Sequence, residues 1–97
     1  MASNPTYIWF DGELKKFAEA NVPFLNAGLH YGISVFEGIR CYATERGPAI
    51  FRLEEHADRL LDSAHILGFR DLPITRAHVV DAIHQAVAAN GFAACYI

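Results

Sequence analysis

The sequence predicts an α+β domain: an antiparallel sheet with two helices packed on one face. Three observations carry this. Asp11-Gly12, a strong hairpin dipeptide, separates Tyr7-Ile8-Trp9-Phe10 from Glu13-Leu14-Lys15-Lys16-Phe17. The stretch from His30 to Tyr42 alternates at a period of two. Beyond Phe51-Arg52 the apolar period changes to that of a helix, and a second helical pattern follows Thr75.

Taken in order, Met1 to Thr6 is polar and expected to fray. The hairpin follows, and Asn21-Val22-Pro23 ends it. Phe24 to Gly32 is apolar without a clear period and reads as a packed loop, with Tyr31 where that loop enters the central strand. In that strand Val35, Glu37, Ile39 and Cys41 form a core face holding a single carboxylate. Phe36, Gly38, Arg40 and Tyr42 form the other face, where the missing side chain at Gly38 leaves room for either a bulge or a ligand.

Glu45-Arg46-Gly47-Pro48 is a turn, and Ala49-Ile50-Phe51-Arg52 returns as the partner strand. Leu53, Ala57, Leu60, Leu61, Ala64 and Leu67 make one helical stripe that Gly68 is placed to stop. Thr75 is a good N-cap for a second helix burying Val79, Val80, Ile83, Ala86 and Val87, which Asn90-Gly91 ends. Phe92 to Ile97 begins a further strand. The chain stops inside that apolar run rather than in a polar tail, so it is expected to be the amino-terminal part of a longer protein.

Composition narrows the function classes. Ninety-seven residues form at most one domain, and a net charge of −3 gives no basic footprint for nucleic acid. No apolar run approaches the ~20 residues of a membrane span, and the first residues lack a signal-peptide pattern. Hydrophobic residues make up 53% of the sequence, above the ~45–50% of a typical soluble domain, so part of the surface is expected to be covered by a partner. Cys41 and Cys95 sit far apart in apolar strands and read as reduced core thiols of a cytoplasmic protein rather than a disulfide. The five histidines show no zinc-ligand spacing, so no metal site is expected.

Arg59 is the leading candidate for chemistry. At ~100° per residue, His56, Arg59 and Ser63 lie together along one edge of the first helical stripe, a donor set that suits a phosphate. The same Arg could instead pair along its helix with Glu55 or Asp62, which would stabilise by only ~0.2–0.5 kcal/mol each. Glu37, among apolar neighbours, must find a partner or become protonated, and is given a structural role.

His30-Tyr31-Gly32 with Ser34-Val35-Phe36-Glu37-Gly38-Ile39-Arg40 resembles the amino-terminal signature of branched-chain amino-acid aminotransferases, of the class IV, pyridoxal-phosphate fold type IV group. Phe51-Arg52-Leu53, Glu55-His56, Arg59-Leu60 and Ser63-Ala64 resemble a second block of the same family at the expected distance. The similarity runs from about Tyr7 to Ile97, with Ile33 standing where a Thr is common. It implies that residues 1–97 are the small amino-terminal domain of such an enzyme. It places Arg59 on the Arg that binds the cofactor phosphate, facing a pocket walled by the central strand.

Phe36 and Gly38 fall on positions lining the substrate side-chain pocket, and Tyr31 on a residue that reaches a neighbouring subunit's pocket. Arg40 takes a supporting electrostatic role there. Tyr96 falls on a Tyr that hydrogen-bonds the substrate carboxylate. The implied cofactor is pyridoxal 5'-phosphate, the implied substrates are branched-chain amino acids and 2-oxo acids, and the implied assembly is at least a homodimer. The lysines present are Lys15 and Lys16, adjacent in a hairpin strand; the Schiff-base lysine is implied to lie beyond this chain, which alone would be inactive. A D-amino-acid aminotransferase or an aminodeoxychorismate lyase of the same fold remains open at this point, as does a non-catalytic binding or dimerisation module.

Overall fold

The computed structural model describes residues 4–97. Strands β1 (Tyr7–Phe10) and β2 (Glu13–Lys16) form the expected hairpin. Asp11 and Gly12 both take positive φ, 52° and 95°, the turn whose twist matches the flanking strands. A 3-10 turn at Phe17–Glu19 closes the unit, with the Phe17 N–H donating to the Thr6 carbonyl at 2.9 Å.

The next segment departs from expectation. Helix α1 spans Ala27–Tyr31, because the Asn26 side chain accepts from the Leu29 N–H at 2.8 Å and Gly32 ends the helix in the left-handed region. Phe24, Leu25, Leu29 and Tyr31 are exposed, so the region is not the packed loop its apolar content suggested. Regular pairing also begins later than His30: Ile39 exchanges both backbone bonds with Ile97 (2.9 and 2.8 Å), and β3 covers Arg40–Thr44. Residues 32–39 have no strand assignment, yet the predicted alternation survives in their burial. Ile39 and Cys41 are buried while Phe36, Arg40 and Tyr42 are exposed.

Strand β4 (Gly47–Ile50) returns antiparallel to β3, and β5 (Cys95–Tyr96) pairs on β3's other side. The strands therefore divide between two antiparallel sheets, β1-β2 and β4-β3-β5. The partner strand ends two residues sooner than expected, since Arg52 at φ 52° already turns the chain into helix α2 (Leu53–Leu67).

Both helices form where their patterns placed them, although Leu67, expected at the end of the first apolar stripe, is exposed. Glu54 and Glu55 in the first turn of α2 suit its dipole, and Gly68 caps it at φ 107°. Helix α3 (Arg76–Asn90) starts with a capping box, Thr75 Oγ1 accepting from the His78 N–H and His78 Nδ1 accepting from the Thr75 N–H. Helix α3 packs against α2 and the β1-β2 hairpin.

The buried core is small: Ile39, Cys41, Leu53, Ala57, Ala64, Ala82 and Val87. The radius of gyration, 14.2 Å, exceeds the ~12.5 Å of a compact domain this size, in line with the exposed α1 arm. An open apolar cavity of about 450 Å³ lies between α3, β1 and β5, with Trp9, Val79, Ile83, Phe92 and Ile97 among its walls. No helix among the described residues is long and apolar enough to cross a membrane.

Candidate active site

Helix α2 and the segment entering β3 meet through one carboxylate. Glu37 has a side chain only 6% exposed, and each of its oxygens is used. Arg59 Nε donates to Oε1 at 2.5 Å, Arg59 Nη2 to Oε2 at 2.7 Å, and His56 Nδ1 lies 2.9 Å from Oε2. His56 and Arg59 sit three residues apart on α2, so both reach the same point beside its axis.

The Arg59 guanidinium, then His56, hold the Glu37 carboxyl down at about 2 against the opposing effect of burial. It is therefore ionised, acceptor-only, and the proton on His56 Nδ1 points at it. Reciprocally, Glu37 raises the pKa of Arg59. The partner that Glu37 had to find is thus a pair of residues on α2. Arg59 makes neither of the helix-surface pairs considered from sequence, because Glu55 is bonded to Arg52 at 2.6 Å, which lowers its pKa.

Arg52, Glu55, His56 and Arg59 line a shallow groove of about 190 Å³. Arg59 is 67% exposed at its side chain, so its base is anchored and its tip faces solvent. Glu37 takes the Nε–Nη2 edge of the guanidinium, and the remaining N–H groups lie on Nη1 and Nη2. An end-on, bidentate anion fits that free edge, so the donor set suits the phosphate end of pyridoxal phosphate. Among the described residues no lysine lines this groove: Lys15 and Lys16 are in β2, with the Lys15 ammonium 5.4 Å from the Phe10 ring centroid.

The candidates on the strand fall on the other side of it. Arg40 is the register partner of Tyr96, and a Cβ built on Gly38 would overlap the Tyr96 hydroxyl. Gly38, Arg40 and Tyr96 are therefore gathered on one exposed face. Phe36, two residues back, is 85% exposed. Since side chains alternate along extended backbone, Glu37 points to the helix side and Arg59 meets the segment there. The single pocket expected on one strand face is thus replaced by two surfaces adjoining along residues 36–40. Tyr31 is 73% exposed on α1, its ring packed edge-on to His30, and is not brought to either surface.

Sequence reading missed the role of Glu37 as the hub of this arrangement. The available signal was a lone carboxylate on an apolar face, with two cationic or donor residues on the same edge of the next helix.

Comparison with known proteins identifies the family. The family model described as amino-transferase class IV matches residues 34–97. The branched-chain-amino-acid aminotransferase of Pseudomonas aeruginosa is 45% identical over 97 residues, covering 100% of this chain and 31% of that protein. Its Escherichia coli counterpart is 42% identical over 93 residues, covering 94% of this chain and 29% of that protein. The crystal structure of a T.th. branched-chain amino acid aminotransferase with pyridoxamine 5'-phosphate superposes with a TM-score of 0.91 at 43% identity, over 96% of this chain and 31% of that one. The chain thus spans less than a third of the length of the curated relatives it matches. With the model matching well over half of its residues, the chain belongs to the class IV aminotransferase family.

Proposed function

We propose that residues 1–97 form the small amino-terminal domain of a pyridoxal-phosphate-dependent branched-chain amino-acid aminotransferase, moving the amino group of leucine, isoleucine or valine to 2-oxoglutarate. The observation that carries the reading is the solvent-facing, carboxylate-anchored guanidinium of Arg59, in a chain 45% identical to a branched-chain enzyme. Support for the substrate class comes from the same T.th. enzyme solved in complex with 4-methylvaleric acid, at 43% identity and a TM-score of 0.90.

In this reading Arg59 donates from its free edge to the phosphate of the cofactor and holds it by charge-assisted, bidentate bonds. Pyridoxal phosphate, when bound, supplies the aldehyde carbon that carries the amino group between amino acid and 2-oxo acid. Tyr96 donates its hydroxyl to the substrate carboxylate, and neighbouring Arg40 makes that face attractive to it. Phe36 and the bare backbone at Gly38 accommodate an aliphatic side chain, each buried methylene stabilising by ~0.8 kcal/mol. Tyr31, on the exposed α1 arm, serves a neighbouring subunit's pocket. The lysine that holds the cofactor comes from outside these residues.

Assembly as at least a homodimer fits the exposed Phe24, Leu25, Leu29 and Phe36. A cytoplasmic location fits the free thiols of Cys41 and Cys95.

The test is a chimera in which this chain replaces the matching segment of the Pseudomonas aeruginosa relative. Arg59→Lys keeps a cation for Glu37 but loses the fork, and is expected to weaken pyridoxal phosphate binding at least tenfold. Unchanged affinity would overturn the reading.

A further inference from the structure

The phosphate reading assigns Arg59 a task but gives Glu37 none beyond stability. Its geometry says more. The side chain is 6% exposed with both oxygens bonded, so it has no freedom to move. Arg59, by contrast, is 67% exposed, and a free exposed Arg would sample many rotamers that an anion must then select. The Glu37 bonds fall on the Nε–Nη2 edge and fix the guanidinium plane without occupying its free end. His56 Nδ1 lies 2.9 Å from one of the same carboxylate oxygens and so braces Glu37 in place.

We propose that Glu37 is a positioning residue for phosphate recognition, acting through Arg59 to pre-orient the free guanidinium edge toward a phosphate monoester. The proposal rests on the reading that Arg59 meets the cofactor phosphate. It opposes a simple electrostatic expectation. A carboxylate beside the guanidinium lowers its attraction for anions, so if charge alone mattered, removing Glu37 would tighten phosphate binding. If orientation dominates, removing it loosens binding, by about tenfold, as when groups that orient a ligating side chain are removed elsewhere.

The sign of the effect therefore decides the matter. In the chimera described above, affinities for pyridoxal phosphate and for pyridoxal, which lacks the phosphate, are measured for the parent, Glu37→Gln and Glu37→Asp. The proposal expects Glu37→Gln to lose about tenfold for pyridoxal phosphate and nothing for pyridoxal, and Glu37→Asp to recover part of the loss. Tighter or unchanged pyridoxal phosphate binding by Glu37→Gln overturns it. So does an equal loss for both compounds, which would mark general damage to the fold. Arg59→Lys separates the two ideas: if it weakens pyridoxal phosphate binding while Glu37→Gln does not, the positioning role falls and the phosphate reading stands. If neither variant matters, or the parent chimera binds no pyridoxal phosphate, the phosphate reading itself falls.

Discussion

The Tyr96 hydroxyl occupies the space that a side chain on residue 38 would fill, so Gly38 is glycine because of the strand beside it. The backbone at Gly38 is not in the positive-φ region, so conformational freedom is not the reason. Tyr96 is 68% exposed and the clash is with the far end of its side chain, which can swing outward. Gly38→Ala is therefore expected to change stability by less than about 1 kcal/mol, because space for the tyrosine is open on the solvent side. In the chimera the same substitution should raise KM for branched-chain substrates more than it lowers kcat, since it moves the hydroxyl proposed to bind the substrate carboxylate. A loss of stability above about 2 kcal/mol in denaturant melts would show that Tyr96 is locked in place.

Acid titration offers a direct reading of the Glu37 cluster. The folded-state pKa is depressed to about 2 from 4.5, so the stabilisation is fully present above pH 4.5 and fades as pH falls from there toward 2. Discounted for solvent at the exposed Arg59 end, it amounts to roughly 1–2 kcal/mol. Wild-type stability should fall across that window, and Glu37→Gln should flatten the fall. Parallel pH curves for the two proteins, measured by urea unfolding, would contradict the depressed value.

Local signals were legible and distant pairings were not. Asp11-Gly12, Gly68, Thr75 and Gly91 each act within a few residues, and each ends or begins an element where the sequence placed it. The two faces around Ile39 and Cys41 were also legible, because burial follows alternation even in residues 32–39, which have no strand assignment. Helix α1 was hidden because a single Asn26 cap, not a hydrophobic period, starts it. Arg59 could be singled out from its place on the helix edge. Its partner, 22 residues away, was signalled only as a lone carboxylate on an apolar face, and spacing along the chain does not say which rim donor such a carboxylate will meet.

The cysteines should differ in reactivity. Cys41 and Cys95 are register partners on β3 and β5, and both are free. Cys41 is 3% exposed, whereas Cys95 borders the open apolar cavity. Burial, and then the neighbouring Cys41, push the Cys95 thiol up, which starves it of thiolate. Iodoacetamide is expected to modify Cys95 first, more slowly than a free thiol, and Cys41 only when the sheet opens. Mass spectrometry of peptides from timed quenches gives the order, and faster labelling of Cys41 would refute the burial pattern.

Asn90 ties the two ends of the chain together with a complete set of hydrogen bonds. Its Oδ1 accepts from the N–H groups of Thr6 and Tyr7 at 2.9 and 3.0 Å, and its Nδ2 donates to the carbonyls of Tyr7 and Ala86, both at 2.8 Å. A last-turn helix residue thus substitutes for a strand neighbour along the start of β1, some 83 residues away. Asn90→Ala takes these partners from the partly buried N–H and carbonyl of Tyr7 and is expected to cost about 2–3 kcal/mol. Asn90→Asp is the sharper test, because it keeps the shape and the two accepted bonds while turning both donated bonds into contacts between acceptors. A destabilisation by Asp comparable to that by Ala, easing at acid pH as the carboxyl gains a proton, would establish that the donated pair carries the clasp. Asn90→Asp melting like wild type at neutral pH would show that Oδ1 alone suffices.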